Sequence, residues 1–101
     1  MKAESQARDF LRAHGHPHVE RIPAGAEADR GDLSGVYNVT VQVKAYSDVG
    51  RACREGVIEA LQQQQRANTD WAAVIVRPPG ITDPAMWRVV MTLEHWAQVV
   101  A

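Results

Sequence analysis

The chain has 101 residues, 46% of them apolar and 23% charged, and a formal net charge of −1. That composition suits one domain, residues 1–101, with its own core; it argues against a disordered chain and against nucleic-acid binding by bulk charge alone. No apolar run approaches the roughly 20 residues of a membrane span. Met1 to Phe10 is too charged for a secretory signal, and the lone Cys53 cannot form an internal disulfide, so a cytoplasmic protein is expected.

Ala3 to His14 reads as a helix, because Ala3, Ala7, Phe10 and Leu11 recur at three- and four-residue spacing and Gly15 can end it. His18 to Ile22 is a short strand, followed by a loop at Pro23-Ala24-Gly25. Ala26 to Gly31 is polar and expected at the surface, and Asp32 to Val36 forms a short strand or a tight turn. Tyr37 to Tyr46 is the clearest strand: Val39, Val41 and Val43 share one face, and Thr40, Gln42 and Lys44 share the other. Ser47 or Asp48 can cap a helix from Val49 to Ala67, with Val57, Ile58 and Leu61 as its buried stripe. Trp71 to Arg77 is a nearly continuous apolar run, as in a central strand, and Pro78-Pro79-Gly80 breaks it. Trp87 to Met91 is a further strand, and Thr92 can cap a last helix through Leu93, Trp96, Val99 and Val100. This order predicts an α/β fold with a mixed central sheet flanked by helices.

The chemistry concentrates around one hairpin. Asp32 opens it, and Gln42 and Lys44 sit side by side at i and i+2 on the strand that follows. Alone, Asp32 reads as a turn residue, Lys44 as a solvent-facing strand lysine and Glu4 as a complement to a helix dipole. Asp32, Gln42 and Lys44 together fit a site in which one or two carboxylates hold a divalent ion with positions left for water and phosphate oxygen. A neighbouring lysine then orients or deprotonates the attacking water, or neutralises charge on the phosphate.

Through Glu4, the Arg30-Gly31-Asp32-Leu33-Ser34-Gly35 run and Lys44, the chain resembles the PD-(D/E)xK nuclease superfamily, restriction-endonuclease-like in fold. Within it the likeness is to phage-encoded and archaeal Holliday-junction resolvases, and it runs from residue 3 to about residue 77. Glu4 stands 11 residues before the helix-ending Gly15, as the first-helix glutamate does in those resolvases. The segment Arg21-Ile22-Pro23-Ala24-Gly25 is similar to their loop that faces DNA. The resemblance implies a restriction-endonuclease-like core and a Mg²⁺- or Mn²⁺-dependent endodeoxyribonuclease that hydrolyses phosphodiester bonds in branched DNA. The implied catalytic residues are Glu4, Asp32, Gln42 and Lys44, with Asp32, Gln42 and Glu4 as metal ligands. Arg21, Arg30, Arg51 and Arg54 are the candidate phosphate contacts.

One departure stands out: Gln42 occupies the position of the family's second acid. A glutamine carbonyl can ligate a hard cation, but as a neutral oxygen, so weaker metal binding or completion by Glu20 or substrate phosphate is expected. A four-way junction has two scissile strands, which favours a symmetric homodimer, with Trp87, Trp96, Val99 and Val100 as its apolar interface. The alternatives are a DNA-binding module that keeps the fold without efficient cleavage, and an interaction protein with no nucleic-acid role.

His14, His16, His18 and Glu20 alternate and would form a zinc site in a regular strand, but Gly15 and Pro17 interrupt it, so loop histidines are the simpler expectation. His95 reads as half-buried or capping, Cys53 as a small side chain at least half buried, and Trp71, Trp87 and Trp96 as core or interface.

Overall fold

The computed structural model describes residues 2–23 and 31–101. In chain order the elements are α1 (Lys2–Ala13), β1 (Glu20–Arg21), β2 (Leu33–Ser34), β3 (Val39–Lys44), α2 (Val49–Ala67), β4 (Trp71–Val76), β5 (Arg88–Val90) and α3 (Leu93–Val99). A 3-10 turn, Pro84–Met86, precedes β5 and was not foreseen; the Asp83 carboxylate caps it, accepting from Ala85 N at 3.0 Å. The strands make one mixed sheet in the order β1-β2-β3-β4-β5. β3 and β4 are parallel and every other pairing is antiparallel. A parallel pair needs a long crossover, which α2 supplies. Among the described residues, no helix is long and apolar enough to cross a membrane.

The alternation along β3 assigns its two faces to two different helices. Val41 and Val43 are buried with Ala3 and Ala7 of α1 and with Val19, Leu33 and Trp87. Thr40 and Gln42 point the other way and are equally buried, at 2% and 3% exposure, beneath α2. Val74 and Val76 of β4 join Ala52 of α2 on that side. Burial on both faces explains why 71–76 reads as one apolar run.

Helix α2 is capped by Asp48, whose carboxylate accepts from Arg51 N at 3.0 Å, and ends at Asn68 in the left-handed conformation. Its buried stripe corrects the expectation. Ala52, Gly56, Ala60 and Gln63 face the sheet, Val57 and Leu61 are half-buried, and Ile58 is 58% exposed. The cause is the closeness of the helix: a Cβ on Gly56 would stand 2.5 Å from Val74 Cγ2. Small residues therefore take the contact line and push the larger aliphatics to its flanks.

Two strands are shorter than the sequence suggests. The 18–22 segment pairs only at Glu20 and Arg21. The 37–46 strand starts at Val39, because Asn38 turns the chain with a φ of 61° and leaves Tyr37 exposed. Trp87 is a second correction. It is buried in the α1-side core with its indole N–H donating to Ile81 O at 2.9 Å, so it cannot serve a surface interface, whereas Trp96 is 54% exposed. His95 is buried and its Nδ1 accepts from Ala72 N at 3.2 Å, tying α3 to the start of β4.

Candidate functional site

Gly31 begins the site. It has a φ of +102°, and a Cβ there would meet Val41 O at 2.8 Å, so glycine alone suits the turn. The turn lets Asp32 N donate to Val41 O at 2.8 Å, and Leu33 pairs with Val41 in the ladder. The Asp32 Oδ2 accepts from Val43 N at 2.8 Å, which fixes the carboxylate over β3.

Glu4, Asp32, Gln42 and Lys44 line one open cavity of about 400 Å³, together with Tyr46, Glu59 and Gln63. Glu4 comes from the first turn of α1, where its Oε1 accepts from Arg21 Nη2 at 3.1 Å. Gln42 is held by α2: its Nε2 donates to Gln63 Oε1. Lys44 Nζ stands 2.5 Å from Glu59 Oε2 and 5.4 Å from the centroid of the Tyr46 ring. Burial pulls its ammonium down, but hydrogen bonds and charge from Glu59 and Tyr46 outweigh that and hold it above the ordinary lysine value of 10.5. Lys44 is therefore a cation at neutral pH, suited to orienting or neutralising rather than to taking a proton.

Two of the candidate arginines touch residues that line this cavity. Arg21 lies beside Glu4, with its Nη1 3.4 Å from Ser5 Oγ. Arg51 stacks its guanidinium 4.9 Å from the Tyr46 ring centroid and pairs with Glu55 at 2.7 Å. Arg54 is exposed on the same helix. Arg30, with Ala24 and Gly25 of the loop that resembles a DNA-facing segment, lies outside the described residues.

Glu20 does not complete the site. It is exposed, bonded to Arg12, and does not line the cavity. His14 stacks on Phe10 at 4.0 Å between ring centroids, with its Nδ1 2.8 Å from Phe10 O. Among the described residues no group of three His, Cys, Asp or Glu side chains is arranged to hold an ion by itself. The oxygens of Asp32, Glu4 and Gln42 are nevertheless the donor type a hard cation takes, with water filling the remaining positions.

Two α2 residues of the cavity escaped the sequence reading, Glu59 and Gln63. They lie four apart on α2, in register with Gly56 and Ala60, and a helix-face argument built on the small residues instead of the large ones finds them. No protein-family model, curated protein or solved structure matches the chain.

Proposed function

We propose that the chain is a metal-dependent endonuclease with a restriction-endonuclease-like core, acting on branched DNA as Holliday-junction resolvases do. The observation that carries this reading is the convergence of Glu4, Asp32, Gln42 and Lys44, far apart in sequence, on one cavity. The hairpin–strand–helix–strand order that positions them also supports it. Asp32, Glu4 and the Gln42 amide oxygen would hold Mg²⁺ or Mn²⁺. The ion supplies charge stabilisation on the scissile phosphate and an acidified water. Asp32 is pre-set by its bond from Val43 N, and the Gln42 amide is tied to Gln63. Lys44, as an ammonium, neutralises charge that develops on the phosphate. Arg21, Arg51 and Arg54, with Arg30, would grip phosphates on either side and set register without reading sequence.

A symmetric dimer fits two scissile strands. Its support is the edge strand β5 and the exposed Val89, Leu93, Trp96, Val99 and Val100 beside it. A cytoplasmic setting, the host's if the chain is phage-encoded, goes with this reading. The second reading, a junction-binding module that does not cut, is favoured by two engagements: Gln42 is bonded to Gln63 and Lys44 is paired with Glu59.

The test is incubation of labelled four-way junction, flap and linear duplex with Mg²⁺, Mn²⁺ or chelator. Metal-dependent cuts in the junction support the nuclease. Salt-dependent junction binding without cuts supports the module. Neither binding nor cutting removes both.

A further inference from the structure

The carboxylate that β3 lacks at Gln42 has a counterpart across the cavity. Glu59 reaches in from α2, one turn before Gln63, and lines the same space as Asp32 and Glu4. Its Oε2 is held at 2.5 Å by Lys44 Nζ. The Lys44 side chain is 13% exposed and that of Glu59 39%, so the lysine is the fixed partner and the glutamate the one with room to turn. Gln42 lines the same cavity, 3% exposed, with its amide N–H donating to Gln63 Oε1.

We propose that Glu59 is an exchangeable ligand for the divalent cation, bound to Lys44 until an ion enters beside Asp32 and Gln42 and then transferred to that ion. The proposal rests on the nuclease reading of this cavity. The physical reason is charge. At equal distance a dication attracts the Glu59 carboxylate twice as strongly as the Lys44 ammonium does. The move also uncovers Lys44, whose ammonium then faces the phosphate instead of a carboxylate. Ion loading and exposure of the phosphate-neutralising cation become one event, and the negative charge missing from position 42 is restored from the helix.

The test is a titration of the full chain with Mn²⁺ alone, followed by electron paramagnetic resonance of free Mn²⁺, on wild type and on Asp32→Asn, Glu59→Gln, Lys44→Met and the Lys44→Met/Glu59→Gln double variant. Circular dichroism confirms that each is folded. Glu59→Gln should weaken Mn²⁺ binding roughly 10-fold. Lys44→Met should tighten it, and the tightening should largely vanish in the double variant, because its main source is release of Glu59. Loss of binding in Asp32→Asn with none in Glu59→Gln overturns the exchange and keeps the nuclease reading. Unchanged binding in Asp32→Asn overturns that reading and the exchange with it. Equal tightening by Lys44→Met with and without Glu59 also overturns the exchange, since it would reflect only the removal of a repelling cation.

Discussion

Replacing Gln42 by Glu tests the site from inside. The new carboxylate would sit at a position 3% exposed, and it would lose the N–H that now donates to Gln63 Oε1. Two oxygens would then face each other unless the Gln63 amide turned over. A buried charge left without a partner costs about 3–5 kcal/mol. Lys44, two residues along on the same face, offsets part of this, although Glu59 already claims it. The expected loss in chelator is therefore about 2–4 kcal/mol. For a domain this small, at about 4–8 °C per kcal/mol, that is a fall in Tm of roughly 10–30 °C. In Mn²⁺ the balance reverses, because the new carboxylate gains a dication as partner. Affinity should rise by at least about tenfold, or 1–2 kcal/mol, and most of the lost Tm should return. The assay is thermal unfolding of wild type and Gln42→Glu in chelator and across an Mn²⁺ series. If the two proteins melt together in chelator and bind Mn²⁺ equally, the cavity neither burdens an added carboxylate nor rewards it, and the reasoning fails.

Asp32→Asn keeps an oxygen to accept from Val43 N, so it should fold within about 1 kcal/mol of wild type, lose junction cleavage and retain salt-dependent DNA binding, measured by gel shift at two ionic strengths. Gly56→Ala places a Cβ 2.5 Å from the branched, fully buried Val74; overpacking of about 1–3 kcal/mol should outweigh the gain of up to about 1 kcal/mol in helix propensity, and urea unfolding should show a lower midpoint. Lys44 is held above 10.5, so what its pairing contributes is complete below the unfolded-state value and is lost as pH rises through the folded one. Wild type should thus keep a constant advantage over Lys44→Met through neutral pH and lose it only in alkaline unfolding above 10.5. Trp96→Asp puts a charge on the exposed α3 face, 54% exposed at that residue, and should shift a dimer to monomer in sedimentation without changing the melting of the fold; a monomeric wild type would remove the dimer.

The fold was legible wherever a residue's partner is close in sequence or its period is strict. Val41 and Val43 against Gln42 and Lys44 gave the faces of β3, and Asp48 and Asn68 bracket α2 at the limits its pattern suggests. The Asp32 hairpin was legible for the same reason, since its register with Val41 is a local matter. Illegible were properties set by distance between layers. Trp87 counts as surface or core depending on how α1 and the 84–86 turn close over the sheet, and nothing in its neighbours along the chain decides that. Glu20 looked available to the site until the bond to Arg12 fixed it elsewhere.

The same separation explains why the α2 half of the cavity was invisible. A motif on a strand can be matched letter by letter, because i and i+2 always share a face. A helix residue reaches a strand only when the helix axis comes close enough, and here closeness depends on Ala52, Gly56 and Ala60 having almost no side chain. That contact brings Glu59 to Lys44 and Gln63 to Gln42. A larger residue at Gly56 would therefore lift two polar partners off β3 as well as strain Val74, and damage there should weaken the proposed metal binding along with the fold. The small-residue stripe, which a search for buried aliphatics passes over, is what converts an incomplete strand motif into a closed set of opposing charges and amides.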